Sequence, residues 1–302
     1  MAPKSILVTD ASGYIGGTFL ATLLDGSNDW VNDYHISVLV RTKDQADFAR
    51  AKNITPVLFE TFDDSELLTK IGQDFDSMYS LKQSYDRPVT GKFIDNRVKS
   101  DEEDMYSYEK YRESFELYPQ RTTDITIVEH GERAGVSTYI VIPPIIHGTG
   151  RGEFNKFTFQ LPVMVNAAKK CGYVGMIGEG TSIYNHVHVE DIASLLNTLL
   201  ARIHDGQEIP SGKRGIYFFL KERGVIESDE VKSLDLPAVA DLYMPGLPHT
   251  LVELPFAGNS RTKAVLGRKL GWSPKHTGSW TSNLRQEVDD YLAFAAAKEP
   301  VL

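Results

Sequence analysis

Three groups of residues in this 302-residue chain have the types and spacing to do chemistry. The first is Thr9-Asp10-Ala11-Ser12-Gly13-Tyr14-Ile15-Gly16, a polar glycine-bearing turn. It lies between the apolar run Ile6-Leu7-Val8 and a stripe of Phe19, Leu20, Leu23 and Leu24 at helical spacing. Strand, glycine turn and helix in that order open a dinucleotide-binding βαβ unit, where glycines allow a tight turn, close approach to a pyrophosphate and helix–strand packing. The phosphates rest on free N–H groups at the helix N-terminus, where the dipole favours negative charge. The second group is Tyr106 and Lys110 in MYSYEKYRE. Four residues place both on one helix face, and a lysine charge there lowers the phenol pKa so that it exchanges a proton with a substrate oxygen. Tyr217 and Lys221 repeat the spacing in a stretch of strand character. The third is Arg41, which closes HISVLVR with Lys43 just beyond. An acidic residue at such a strand end holds ribose hydroxyls and a basic one accommodates a 2′-phosphate, so Arg41 points to NADP ahead of NAD.

The elements that must position these groups are legible as apolar runs between turns. Ser5 to Thr9, His35 to Arg41, Ile54 to Phe59 and Val136 to Ile142 read as buried strands, and Asp64 to Ile71 as a short helix. Leu81 to Ser84 is too short for the dozen or so residues that a parallel crossover needs. Ser77 to Leu81 therefore serves as a single strand, or the central sheet is shortened there. Ser100-Asp101-Glu102-Glu103 fits a capping box and predicts a helix start. Alternation on a strand puts His186 and His188 on one face, but no third ligand is evident and no metal is assigned. Asp191 is placed to cap the helix from Ile192 to Leu200.

Composition bounds the function classes. A formal net charge of -9 argues against nucleic acid and anionic membrane surfaces. No apolar run reaches bilayer length, and MAPKS enters a strand without the apolar region of a signal peptide. Cys171 is the single cysteine, which excludes an internal disulfide and a cysteine zinc site. A cytoplasmic, metal-free protein working on a small-molecule substrate is the expectation, with a homodimer left open.

At the glycine turn the chain resembles the extended and atypical short-chain dehydrogenase/reductase proteins, the NAD(P)-dependent epimerase/dehydratase-like group. The resemblance continues through Pro143-Pro144-Ile145-Ile146-His147-Gly148, Gly178-Glu179-Gly180, Tyr184 to Ala193, Asn259-Ser260-Arg261 and Leu270 to Lys275. Gly13 and Gly16 match the second and third glycines of the family turn. Asp10 stands at the first, setting a carboxylate beside the pyrophosphate. The resemblance implies an α/β fold, a Rossmann-like doubly wound parallel sheet with a smaller C-terminal substrate lobe. The dinucleotide-binding domain would span 1–150 and a mainly substrate-binding lobe 151–302, with some segments returning to the Rossmann core. It also implies backbone contact with the cofactor at Pro143 and Ile145. Tyr118 becomes a second candidate for the catalytic tyrosine, because YPQRTTDITIVEHGERAG sits where the family's catalytic helix precedes its sixth strand; the lysine position is then Thr122. The family's carbonyl-polarising serine has only Ser77, Ser80 and Ser84 as stand-ins. Two internal shortenings interrupt the match, one near these serines and one after Phe219. The implied function is an NADP-dependent oxidoreductase or epimerase/dehydratase-like enzyme on a small carbonyl or hydroxyl metabolite. The alternative is a redox-inactive member that senses a nucleotide, acts as a scaffold, or carries out a non-redox dehydration or cyclisation; Asp10, the missing serine segment and the uncertain lysine lean that way.

Overall fold

The protein is described by a computed structural model covering residues 4–61, 77–81, 90–91, 94–95, 97–218, 231–276 and 280–298. The expected helix from Asp64 to Ile71, Ser84 and Lys221 lie outside the described residues. The N-terminal half is built on β1 (Lys4–Val8), β2 (Tyr34–Val40) and β3 (Thr55–Leu58), paired in parallel in the order β1-β2-β3. Helices α1 (Tyr14–Leu23) and α2 (Lys43–Ala51) connect them. Ile6, Val8, Leu20, Leu23, Ile36, Val38 and Val40 form the core between these strands and helices. α2 starts with a capping box: the Thr42 hydroxyl accepts the Gln45 N–H, and the Gln45 side chain accepts the Thr42 N–H in return.

A second parallel ladder holds β4 (Ser77–Leu81), β6 (Ser137–Ile142) and β10 (Ile216–Phe218) in the order β10-β6-β4. Ser77 to Leu81 is thus a strand, aligned with Ser137 to Val141. β10, far along the chain, pairs with β6 over Ile140 to Ile142. Its residues Ile216, Tyr217 and Phe218 belong to the largest core, with Ile140, Val141, Ile142, Ile192 and Leu199. Before this ladder come β5 (Lys99–Ser100) and helices α3 (Met105–Glu113) and α4 (Pro119–Ala134). The expected helix start at Ser100 is one turn early. The Ser100 N–H donates to the Glu103 carboxylate and the Ser100 hydroxyl accepts the Glu102 N–H, yet α3 opens at Met105, capped by the Asp104 carboxylate on the Ser107 N–H.

Beyond β6, a short pair joins β7 (Ile145–His147) to β9 (His186–His188), and β8 (Val174–Ile177) pairs with β11 (Val231–Leu234). α5 (Gln160–Cys171), α7 (Leu236–Tyr243) and α8 (His249–Ala257) pack a separate apolar cluster around Val239, Tyr243 and Ala257. α6 (Val189–His204) lies against α1. Its cap is His188, whose imidazole accepts the Glu190 N–H, and not Asp191. Asp191 instead accepts the Lys275 and His276 N–H groups, while Trp272 donates to its carbonyl. The last elements are β12 (Thr262–Lys263), paired with β5, then α9 (Leu266–Lys269) and α10 (Trp280–Lys298). Among the described residues no helix is long and apolar enough to cross a membrane.

Candidate functional site

α/β proteins of this design bind ligands outside the carboxyl ends of their strands, and the glycine turn lies there, directly after β1. The Gly13 N–H donates to the Asp10 carbonyl at 2.9 Å, closing the turn, and α1 begins at Tyr14 with Gly13 as an N-cap that offers no side chain. A Cβ at Gly16 would collide with the Asp10 carbonyl, so only glycine permits this approach of helix and turn. Thr9 and Asp10 are exposed at the rim, Ser12 and Ile15 half-buried, and Tyr14 buried.

Asp10 changes what the turn offers. Its carboxylate fills the space that Gly13 leaves by having no Cβ. Desolvation in the packed turn raises its pKa, against the Gly16 N–H and the Arg41 charge, which both favour the ionised form. The anion position at the start of α1 therefore already holds a carboxyl group of the chain itself. Arg41 sits across the crevice, its guanidinium 5.3 Å from the Phe59 ring centre, and its N–H is fixed by Gln45. Arg41 is near enough to Asp10 for its charge to act on the carboxyl group.

Tyr14 ties this turn to the loop after β7. Its hydroxyl donates to the Gly148 carbonyl at 2.5 Å, and the backbones of Gly17 and Gly152 meet nearby. The C-terminal end of β6 and the glycine turn thus share one edge of the molecule. Pro143 is buried and Ile145 half-buried there, the latter in register with His186. His147 faces inward: its Nε2 lies 3.2 Å from Nδ1 of His186 in a buried contact, and His188 stacks on His276 with ring centres 3.9 Å apart. His186 Nδ1 and His188 Nδ1 are engaged by protein partners. Among the described residues no cluster of three or more His, Cys, Asp or Glu is arranged to hold a metal ion.

The two tyrosine candidates separate by edge. α4 runs into β6 through Gly135, whose φ of 70° ends the helix. α4 is therefore antiparallel to β6, with its N-terminus on the glycine-turn edge and its C-terminus on the opposite one. Tyr106 and Lys110 both bond Glu129, in the second half of α4, at 2.8 Å. Lys213, in the turn before β10, lies 5.3 Å from the Tyr106 ring centre. The pair is thus placed at the N-terminal ends of β6 and β10, away from the crevice. Its expected electrostatics are also corrected: burial and the Glu129 carboxylate raise the Tyr106 phenol above its ordinary value, outweighing Lys110, which is itself engaged in the Glu129 ion pair.

Tyr118 caps α4 on the crevice edge and packs with Leu254 and Tyr184. Thr122, at the lysine position, donates its hydroxyl to the Glu113 carboxylate, with the Tyr118 carbonyl 3.1 Å away. The cation beside Tyr118 is Arg121, 5.5 Å from its ring centre and paired with Glu113 at 2.8 Å. A search for Tyr-x-x-x-Lys passes over a tyrosine followed three residues later by arginine. Tyr-x-x-Arg with an upstream glutamate was the available signal, and a weak one. Ser77 and Ser80 lie on β4, which puts their backbone in the central ladder.

No family model matches the chain. It is 22% identical over 303 residues to the uncharacterized protein C2A9.02 of Schizosaccharomyces pombe, covering 90% of this chain and 95% of that protein. Among solved structures it resembles UDP-glucuronic acid 4-epimerase from Bacillus cereus, determined with UDP-glucuronic acid and NAD. The TM-score is 0.58 at 13% identity, over 96% of this chain and 99% of that one. It also resembles dTDP-glucose 4,6-dehydratase from Bacillus anthracis in complex with NAD, with a TM-score of 0.55 at 15% identity over 96% of each chain. These likenesses establish the fold as the Rossmann-type α/β architecture of the epimerases and dehydratases.

Proposed function

We propose that the crevice between the glycine turn and Arg41 binds a nicotinamide dinucleotide, NADP ahead of NAD, and that the chain is an oxidoreductase or epimerase/dehydratase-like enzyme acting on a small carbonyl or hydroxyl metabolite. The observation that carries this reading is the juxtaposition at one sheet edge of the α1 N-terminus, a guanidinium just beyond β2 and a buried tyrosine at the N-terminus of α4. The amides of Tyr14 and Ile15 would hold the pyrophosphate, Arg41 the 2′-phosphate, and the Pro143 to Ile145 backbone would flank the nicotinamide. Bound there, the cofactor supplies hydride exchange with a substrate carbon. Tyr118 exchanges the proton of the substrate oxygen, with Arg121 supplying the nearby positive charge and Glu113 orienting Arg121. That solved neighbours of the same fold carry NAD supports the choice of cofactor class.

Asp10 favours a second reading, in which redox chemistry has been lost and the crevice serves nucleotide sensing, scaffolding or a non-redox dehydration or cyclisation. A carboxylate in the phosphate position repels the ligand that the rest of the turn attracts. Titration of NADPH and NADH against intrinsic fluorescence tests coenzyme binding, and NADPH oxidation with a carbonyl substrate separates the enzyme from a sensor. Saturable binding of NADPH, weakened selectively by Arg41→Asp, is expected; no saturable change with either coenzyme would remove the dinucleotide reading.

A further inference from the structure

Glu287, on α10, is 1% exposed and lies 139 positions from its partner in sequence. Its Oε2 accepts the Gly148 N–H at 2.7 Å, and its Oε1 has no hydrogen-bond partner among the described residues. The carbonyl of the same glycine accepts the Tyr14 hydroxyl. Both ends of one residue are thereby held, one from the C-terminal helix and one from the first residue of α1. Gly148 has φ of 93° and its Cα faces the His188 imidazole so closely that a Cβ would overlap the ring. Only glycine fits at this position. Asp290, one turn further along α10, bonds the Thr149 hydroxyl and fastens the neighbouring residue as well.

We propose that Glu287 is a positioning residue for the nucleotide crevice: its carboxylate fixes the Gly148 peptide, which fixes Tyr14, so that the C-terminal helix sets the N-terminal turn of α1. The functional half of this inference rests on the dinucleotide reading above; the structural half does not. The titratable groups gathered at the contact are Asp290 and Tyr291 on α10, Tyr14 on α1, and His147 and His188 on β7 and β9. α5 contributes the neutral Asn166, bonded to Tyr291. Burial raises the Glu287 carboxyl to about 7, against the Gly148 N–H and with help from Asp290, so the contact changes charge near neutrality.

The test compares the full chain with Glu287→Ala, Glu287→Gln and Tyr14→Phe by amide hydrogen exchange and by NADPH titration, at about pH 6 and about pH 8. Loss of one buried hydrogen bond predicts roughly tenfold faster exchange at residues 14–17 in Glu287→Ala and in Tyr14→Phe. Glu287→Gln keeps an acceptor for the Gly148 N–H and is expected within about twofold of the parent, without its pH dependence. Faster exchange confined to 145–150 and 283–290, with 14–17 unchanged in Glu287→Ala, overturns the proposal. Should Glu287→Ala fail to fold, unchanged exchange at 14–17 in Tyr14→Phe overturns it equally. If the exchange pattern holds but the parent shows no NADPH saturation, the dinucleotide reading fails and the positioning role stands. If NADPH binds and Glu287→Ala and Tyr14→Phe weaken it about tenfold while Glu287→Gln does not, both stand.

Discussion

At the residue scale, function turns on where single charges sit. Asp10 places a carboxylate on Gly13, beside the amides that would take a phosphate. Replacing it by glycine removes a like charge from the anion site, and Asp10→Gly should bind NADPH about tenfold more tightly, an effect of about 1.4 kcal/mol. Because desolvation within the packed turn raises the Asp10 carboxyl, acidification neutralises it sooner than an ordinary aspartate. The parent should therefore gain affinity as the pH falls toward that raised value, and Asp10→Gly should not; isothermal titration across pH reads both. The tyrosines give a second contrast. Tyr118→Phe should lower turnover by about 10²-fold or more if its phenol moves the proton. Tyr106→Phe, on the far edge, should leave turnover intact and cost about 1 kcal/mol of stability through the lost Glu129 bond.

At the scale of elements, the single carboxylate of Asp101 joins three segments. It accepts the N–H of Phe218 at 3.1 Å, Val265 at 2.8 Å and Leu266 at 3.2 Å, docking β10 and α9 against the start of α3. Asp101→Ala leaves three backbone donors without their acceptor at a buried site and should cost about 2–4 kcal/mol, read as a lower midpoint in urea with an unchanged slope. The strands around it were legible in the sequence, because Ile6 to Val8, Ile36 to Val40 and Tyr139 to Ile142 are apolar runs closed by turns. The glycine turn was legible because local backbone geometry dictates its residues. Helix caps were only half legible: Ser100 to Glu103 makes real capping bonds in a turn that stops before α3, and Asp191 spends its acceptors on Lys275 and His276. Placement across the sheet was not legible at all. Tyr106 and Lys110 have the right spacing, but the direction in which α4 feeds β6 puts their partner Glu129 at the wrong edge. Glu287 gave no signal either, since its partner Gly148 is set beside it by tertiary packing alone.

At the scale of the whole molecule, buried acid sets how stability follows pH. Burial raises the carboxyls of Glu287 and Asp101, so both hold protons more tightly when folded than when unfolded. For Glu287 the window is explicit: an ordinary value of 4.5 and a folded value of about 7. Between these the folded state binds the extra proton, so this contribution to stability is complete below about 4.5 and is lost as pH rises through about 7. The full difference corresponds to about 3 kcal/mol. The net charge of -9 acts in the same direction, because self-repulsion falls as carboxylates are neutralised. The melting temperature should therefore rise on moving from about pH 8 to about pH 6, against the habit of proteins whose carboxylates are stabilised by ion pairs. Glu287→Gln isolates one group from the rest: it should be more stable than the parent by up to about 3 kcal/mol near pH 8, and the gap should close as pH approaches about 5. Calorimetric melting of both chains across this range measures the gap directly, and a difference that stays constant with pH would mean that Glu287 does not exchange its proton on folding.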